Sequence, residues 1–318
     1  MDTAKKAQNL FRKHKDNPIL TKHDWPYPIN SVMNPAAIKV DGEYLLLNRV
    51  EDLRGFSHLC VARSKDGLSD WKIDKIPTML PDPNVREERF ALEDPRIVWL
   101  EEQKQYAITY VSFGEDGPMI SLAITRNFRT FARLGSLLPP EDKDACLFPG
   151  RFNGRFALIH RPIVRGEAHI WISMSPDLKH WGDHRVLLKT RHAFWDGVRI
   201  GLGCQPIEIP EGWLLVYHGV RKTTAGAIYR TGLALLDKDE PWRVLRRGEE
   251  WVLGPSEPYE QIGDVGYVVF VTGGIVNDKT NELYLYYGAA DDKIAVAIGN
   301  LDEIRDYIMS CPEVEENG

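Results

Sequence analysis

Two carboxylates and an arginine stand directly before an apolar segment, in the order Glu93-Asp94-Pro95-Arg96. Proline fixes its own φ and favours an extended conformation in the residue before it, so Asp94 has a stiff backbone. A neighbouring guanidinium can orient a carboxyl group and shift its pKa, as a general acid requires. Asp94 is therefore a candidate general acid, and the alternative is an Asp-Pro turn closed by a salt bridge.

Three cationic side chains follow or adjoin apolar segments, where they would be partly buried: Arg161, Arg199 and His218. A buried cation is costly without an anionic partner, and few acids near them in the sequence look buried. This favours an external anion, of which phosphate is the commonest, because arginine offers a planar fork of donors and histidine one more. The alternative is that each cation pairs with a local carboxylate or carbonyl.

Polar residues also mark the ends of apolar segments at Asn34, Arg49 and Asp291. Such residues, with aromatic side chains nearby, suit a ligand rich in hydroxyl groups, such as a sugar. The alternative is three solvated turn residues.

Composition and charge exclude several classes of function. The net charge of −6 leaves no basic surface for a nucleic acid. The charged first residues argue against a signal peptide, and no apolar run is long enough to cross a membrane. The four cysteines are scattered without metal-ligand spacing, which favours a reduced, cytoplasmic protein without a metal site. No Walker loop, GxGxxG, HExxH or GxSxG motif occurs, so no cofactor is predicted, and a homo-oligomer stays open.

A repeated pattern indicates which elements hold these residues. Five times, an apolar segment runs into a polar turn, at residues 64–67, 125–128, 175–177, 237–239 and 299–302. The spacing of roughly 50–60 residues is typical of stacked or radial repeats of about four strands each. We predict an all-β fold, a five-bladed β-propeller, over residues 1–318 as a single domain; a pair of sandwiches is the alternative. The dipeptides Asp41-Gly42, Asn153-Gly154 and Glu211-Gly212 are predicted hairpin turns.

Short helices are expected at both ends of the chain. Apolar residues recur at helical spacing within residues 3–15, which predicts a helix in an N-terminal extension covering residues 1–20. The same spacing predicts a closing helix over residues 301–310.

Longer motifs occur in order along almost the whole chain: Met33-Asn34-Pro35-Ala36, Ala62-Arg63-Ser64-Lys65-Asp66-Gly67, Glu93-Asp94-Pro95-Arg96, Leu147-Phe148-Pro149, His160-Arg161-Pro162, Ser175-Pro176-Asp177-Leu178-Lys179-His180-Trp181-Gly182, Gly212-Trp213-Leu214-Leu215-Val216-Tyr217-His218-Gly219-Val220, Tyr286-Tyr287-Gly288-Ala289-Ala290-Asp291 and Leu301-Asp302-Glu303-Ile304. Together they resemble glycoside hydrolase family 130, the inverting β-mannoside phosphorylases and related β-mannosidases. The family's five-bladed propeller agrees with the repeat count.

The resemblance implies a role for each matched residue. Asp94 would be the single catalytic acid, passing its proton to the glycosidic oxygen through the 3-hydroxyl of the bound mannosyl unit. Inorganic phosphate, as co-substrate, would attack the anomeric carbon from the opposite face and give α-mannose 1-phosphate. The phosphate-binding set would be Arg161, Arg199 and His218 with Lys143, and the mannosyl-binding set Asn34, Arg49 and Asp291.

The cations favour phosphorolysis over hydrolysis. An inverting glycosidase needs a second carboxylate to activate water, whereas phosphate is already a nucleophile and needs cations instead. The sequence thus predicts a phosphorylase that acts on β-1,4- or β-1,2-linked manno-oligosaccharides or on a mannosyl-glucose disaccharide. The alternatives are a β-mannosidase and a sugar-binding propeller without activity. Linkage and acceptor stay open.

Overall fold

The chain starts with a helix and a strand that joins a sheet from the far end of the sequence. The structure is a computed structural model that describes residues 2–314. Helix α1 (Asp2–Asn9) is shorter than the helix predicted within residues 3–15, because the next residues form strand β1 (Arg12–Lys13). This strand pairs with Ala297 and Ile298 near the C-terminus. A 3₁₀ turn (Lys22–Asp24) follows, capped by Thr21.

The next eight strands form one sheet made of two antiparallel units. They are β2 (Ser31–Val40), β3 (Glu43–Glu51), β4 (Ser57–Ser64), β5 (Lys72–Ile73), β6 (Ala91–Leu100), β7 (Gln105–Gly114), β8 (Gly117–Thr125) and β9 (Ala132–Ser136). A single parallel bridge between Ser57 and Ala91 joins the units, and a 3₁₀ turn (Arg86–Glu88) lies between them.

Two further antiparallel sheets follow in sequence. The first contains β10 (Asp142–Phe152), β11 (Arg155–Val164), β12 (Glu167–Ala168), β13 (Ile170–Ser175) and β14 (Gly182–Leu188). The second contains β15 (Arg199–Leu202), β16 (Ile207–Ile209), β17 (Gly212–Thr223), β18 (Gly226–Leu236) and β19 (Val244–Arg247).

The last sheet combines both ends of the chain. After helix α2 (Pro258–Gln261) come β20 (Val269–Asn277), β21 (Glu282–Ala289) and β22 (Lys293–Asn300), and β1 adds the outer strand. Helix α3 (Leu301–Ser310) begins at once because the Asn300 side chain accepts hydrogen bonds from the N–H groups of Asp302 and Glu303. It buries Ile304 and Ile308 against the sheet beneath it.

The first strands of the units pack in a ring. Strand β2 packs on β6, β6 on β10 and β10 on β15, while β17 and β18 pack on β20, which returns to β2. Apolar side chains fill the space between neighbouring sheets, and burying each Leu or Val contributes about 1.5–3 kcal/mol. The predicted all-β propeller is confirmed. Since hydrogen bonding gives four sheets, the count of five blades stays a prediction, as does the single domain.

The repeated polar turns have one physical basis. In each, an Asp or Asn oxygen accepts hydrogen bonds from the backbone N–H groups two and three residues later. The five side chains are Asp66, Asn127, Asp177, Asp237 and Asn300. Each turn follows the third strand in the pairing order of its unit, counted from β2, β6, β10, β15 or β20. The pattern in the sequence therefore marks equivalent positions in the fold.

Two of the three predicted hairpin turns are confirmed. Asp41-Gly42 and Asn153-Gly154 both have positive φ, between 49° and 79°, as tight hairpins require. The third prediction was wrong by one residue, because Gly212 already pairs with Ile209 and the turn is Pro210-Glu211.

Buried thiols and helix lengths complete the description. All four cysteines are buried and unpaired. Among residues 2–314, no helix combines the length and the apolar composition that a bilayer crossing needs.

Candidate active site

The eight residues predicted from the sequence line one cavity. It has a volume of about 300 Å³ and opens at the end of the ring where the first strands begin. Its polar lining contains Asn34, Arg49, Asp94, Lys143, Asp144, Arg161, Arg199, His218, Tyr229 and Asp291. A larger groove of about 460 Å³ lies between α1 and α3 but lacks such convergent buried charges.

Three β-bulges place polar side chains at this cavity. The register of the first strands shifts between Met33 and Ala36, Glu93 and Arg96, and Lys143 and Cys146. Inside each shift lies a left-handed residue: Asn34 (φ 47°), Asp94 (φ 46°) and Asp144 (φ 52°). Asn and Asp tolerate this conformation better than other residues with a side chain, and a bulge redirects its side chain.

The candidate acid is held by two donors. Asp94 is buried, and its Oδ1 accepts hydrogen bonds from Asn34 Nδ2 (2.9 Å) and Arg49 Nη1 (3.1 Å). Burial acts to raise the pKa of Asp94, but the charges of Arg49, Arg96 and Lys143 outweigh it and hold the pKa below its usual value. Asp94 is therefore ionised in the free protein at neutral pH.

Arg96 supports the backbone under the acid instead of pairing with its carboxylate. Its fully buried guanidinium donates to the carbonyl oxygens of Asp94 (2.7 Å), Gly203 (2.7 Å) and Leu202 (3.1 Å). These bonds tie β6 to β15 across the ring. The expected orienting arginine is thus Arg49, from the neighbouring unit.

Glu93 links the acid to the cations. One carboxylate oxygen accepts from Arg49 Nη2 (3.0 Å) and the other from Lys143 Nζ (3.3 Å). Lys143 is consequently placed between the acid and the other cations that line the cavity.

The three residues predicted to bind a sugar surround the acid. Asn34 touches Asp94 directly, while its own Oδ1 is buried without a hydrogen-bond partner. Partial burial and the charge of Asp94 raise the pKa of Asp291 to about 6. The Oδ1 of Asn34, the carboxylate of Asp291 and the guanidinium of Arg49 are suitable hydrogen-bond partners for hydroxyl groups.

The raised pKa of Asp291 makes a prediction about stability. Its ordinary pKa is near 4, so the folded state binds this proton more readily than the unfolded state, and the ionised group lowers stability above pH 6. Asp291→Asn should therefore raise the free energy of unfolding by about 2 kcal/mol at pH 8 and by little at pH 3.5.

Chemical denaturation of both proteins across this pH range measures the difference. Asp239→Asn, at an exposed position outside the cavity lining, is the matched control and should change stability by less than about 0.5 kcal/mol. A gain for Asp291→Asn that does not depend on pH would contradict the prediction.

One buried carboxylate, that of Asp144, balances the cations. It was not predicted from the sequence. Asp144 Oδ2 accepts a hydrogen bond from Arg161 Nε (2.6 Å) and lies 3.6 Å from His218 Nε2. Burial acts to raise the pKa of Asp144, but Arg161, His218 and Arg96 lower it to about 2. The expectation that few buried acids match these cations was wrong for Arg161, since the partner stands on the adjacent strand.

His218 is neutral. Burial lowers its pKa to about 4; the charge of Asp144 acts against this shift, and the nearby arginines add to it. Its Nδ1 is buried without a hydrogen-bond partner, so one ring nitrogen is free for a ligand. Its ring lies against Phe270, with 4.6 Å between centroids, and a side chain at Gly201 would collide with it.

Arg199 has no protein partner. Within residues 2–314 its guanidinium makes no hydrogen bond or ion pair, although it lines the cavity. The loop before it is fixed by the buried Asp196, which accepts from Arg191, Arg247 and Tyr217. The side chain is exposed, so the expected partial burial was wrong for Arg199, and the loop presents an unpaired cation at the edge of the cavity.

Comparisons with known proteins agree with this geometry. The profile of one family, described as beta-1,4-mannooligosaccharide phosphorylase, matches residues 11–310. A beta-1,4-mannooligosaccharide phosphorylase from Ruminococcus albus is 33% identical over 98% of this chain and 95% of its own. A 1,2-beta-oligomannan phosphorylase from Thermoanaerobacter is 36% identical over 93% of this chain and 99% of its own. The solved beta-1,2-mannobiose phosphorylase from Listeria innocua, in complex with beta-1,2-mannobiose, superposes with a TM-score of 0.86 at 30% identity, covering 94% of this chain and 99% of that one.

Proposed function

The chain belongs to glycoside hydrolase family 130, and from this premise we propose that it is an inverting phosphorylase that cleaves β-mannosides with inorganic phosphate. Its products are α-mannose 1-phosphate and a shortened acceptor, so the reaction is a glycosyl transfer to phosphate. The relatives named above act on β-1,4- and β-1,2-linked chains, and either linkage fits the proposal.

The observation that carries the proposal is the unpaired Arg199 beside the free Nδ1 of neutral His218. Arg161 is the third group and keeps N–H groups without a partner within residues 2–314, because only its Nε bonds Asp144. A hydrogen phosphate ion offers acceptor oxygens to both arginines and, at Nδ1, either an acceptor oxygen or its P–OH group, as the tautomer of neutral His218 requires, whereas a single water molecule cannot meet all three groups.

The proposed reaction needs one acid and no base. The phosphate oxygen forms a bond to the anomeric carbon as the glycosidic C–O bond breaks, and Asp94, protonated once phosphate and glycan are bound, supplies the proton that the leaving oxygen takes. Monohydrogen phosphate carries an equivalent proton, which restores Asp94. A bound phosphate also offsets Arg49, Arg96 and Lys143, the cations that lower the pKa of Asp94 in the free protein.

Hydrolysis would require a carboxylate that activates water from the opposite face. Asp144 is engaged by Arg161 and by the nearby His218, and Asp291 adjoins Asp94 and Arg49. Asp144 is therefore not free, and Asp291 lies beside Asp94 and not on the opposite face, which supports phosphate as the nucleophile.

Product analysis tests the proposal. β-1,4- and β-1,2-mannobiose are incubated with and without phosphate, and sugar phosphate and free mannose are quantified. Sugar phosphate should appear only with phosphate. Release of free mannose at an equal rate in phosphate-free buffer would identify a β-mannosidase instead. The reverse reaction, from α-mannose 1-phosphate with a panel of acceptors, then identifies the linkage.

Arg199→Ala should weaken phosphate binding selectively. A charge-assisted hydrogen bond contributes about 1.5–3 kcal/mol, so the KM for phosphate should rise about 10- to 100-fold. The KM for the glycan should change by less than about twofold, because Arg199 makes no contact with the acid or its partners. Steady-state kinetics with each substrate varied in turn measures both values.

Arg126→Ala is the matched control, since Arg126 is an exposed arginine in the turn after β8, away from the cavity. An equal rise in both KM values for Arg199→Ala would assign Arg199 a structural role. Cofactor independence, cytoplasmic localisation and oligomeric state stay predictions.

A further inference from the structure

Three phenylalanines form a partly exposed row on the surface. Phe56 lies 6.0 Å from Phe90, and Phe90 lies 6.3 Å from Phe113, measured between ring centroids. Phe56 is 36% and Phe113 37% exposed. We call these three residues the aromatic strip. Apolar rings left together in water usually mark a surface that binds something.

The aromatic strip adjoins the candidate acid and its partners. Phe56 directly precedes Ser57, whose hydroxyl accepts a hydrogen bond from Arg49 Nε (3.0 Å). Phe90 directly precedes β6 and donates its backbone N–H to Phe113 (2.9 Å). Glu93 follows Phe90 by three residues, about 10 Å of extended strand. The strip therefore lies at the mouth of the cavity, on the side formed by β3 and β6.

Inversion determines which part of a glycan reaches this side. The nucleophile and the leaving group stand on opposite faces of the anomeric carbon. The cations for phosphate come from β11, β15 and β17, so the leaving group departs towards the side of β3 and β6. The cavity of about 300 Å³ is near the lower limit for ligand pockets and must hold both phosphate and the mannosyl unit. Sugars further along the chain then lie outside it.

We propose that the aromatic strip binds the acceptor-side sugar units of a β-linked oligosaccharide, beyond the unit next to the scissile bond. This inference rests on the proposed function and names the part of the substrate that the rim recognises. A phenylalanine ring packs against the apolar C–H face of a pyranose, and burial of both surfaces is the source of affinity.

Polar groups around the strip match the hydroxyl edges of such sugars. The Arg54 guanidinium lies 5.1 Å from the Phe56 ring centroid, and Arg89 pairs with Glu115 beside Phe113. The surface area of three rings within this charged border is far below the roughly 1,000 Å² that a stable protein interface buries. This favours a sugar chain over a protein partner.

The dependence of activity on chain length tests the inference. The double variant Phe56→Ala, Phe113→Ala is compared with the wild-type protein on mannobiose, mannotriose and mannotetraose of each linkage at saturating phosphate. The wild-type kcat/KM should increase with chain length. The double variant should lose about tenfold in kcat/KM on mannotetraose and less than about twofold on mannobiose. Phe113→Trp, which keeps an aromatic surface, should retain most of the increase.

Phe194→Ala is the matched control, because Phe194 is a phenylalanine of similar exposure (44%) in the loop before β15, apart from the strip. Its effect should be the same for every chain length. A wild-type protein without chain-length preference, or a double variant with an unchanged preference, would overturn the inference while leaving phosphorolysis intact.

A binding measurement separates this inference from the proposed function. Calorimetry in the Asp94→Asn background compares mannotetraose binding with and without the two phenylalanines. If the wild-type protein forms no sugar phosphate from any chain, the proposed function fails, and this measurement alone decides the inference. Weaker binding without the rings supports the aromatic strip as a glycan site, and equal binding rejects it.

Discussion

Asp94→Asn should lower kcat/KM for phosphorolysis by about 10³-fold, within the usual contribution of a general acid. The amide keeps the oxygen that accepts from Asn34 and Arg49, so the geometry around it is retained while the transferable proton is lost. Binding of the glycan, measured by calorimetry, should change by less than about fivefold. Initial rates of sugar phosphate release give the activity.

The exposed Asp239 offers a control for this experiment, because Asp239→Asn removes a carboxylate that is not part of the cavity lining. It should keep activity within about twofold of the wild-type value. Should Asp94→Asn retain activity within about fivefold of wild type, the acid would have to be another group.

Asp144→Asn should destabilise the fold by about 3 kcal/mol and make its stability depend on phosphate. The substitution leaves the buried Arg161 and Arg96 without their shared carboxylate. An anion bound at the same cations replaces part of the lost charge. Phosphate should therefore raise the melting temperature of the variant by more than that of the wild-type protein.

Glu88→Gln is a matched comparison, since Glu88 is also a buried carboxylate paired with an arginine, Arg133, but lies away from the cavity. It too should destabilise, but phosphate and sulfate should not restore its stability selectively. Equal responses of the two variants to phosphate would mean that Asp144 does not neighbour an anion site.

Much of the fold was predictable because its signals are local. Each polar turn depends on one Asp or Asn and the N–H groups two and three residues later, so Asp66 or Asp177 can be recognised in a window of four residues. Asp41-Gly42 and Asn153-Gly154 depend on their own φ values in the same way. The helix predicted within residues 3–15 ends early, at Asn9, because pairing with Ile298, at the other end of the chain, overrides local spacing.

The residues that line the candidate site could be predicted from the sequence, but the contacts among them could be predicted less well. All eight residues line one cavity because seven of them lie near the beginning or end of a strand at the same end of the ring, while His218 reaches it from the middle of the long strand β17. Asp144 was not predicted because its role depends on contacts with Arg161 and His218 on other strands, and no local sequence pattern indicates those contacts. The role of Arg96 was misjudged for the same reason, since two of its three acceptors, Gly203 and Leu202, belong to a distant segment.

The pairing of β1 with β22 has a consequence for how the protein is made. During synthesis, the segments that contain Asn34 and Asp94 leave the ribosome early. The last sheet lacks its two central strands until β21 and β22 leave the ribosome as well. Until then β20 has no partner strand, and strand edges stay open to other chains. Contacts between residues so far apart in sequence are slow to form. The cavity therefore cannot be complete until the last sheet is made, because Phe270 lies on β20 and Asp291 follows β21.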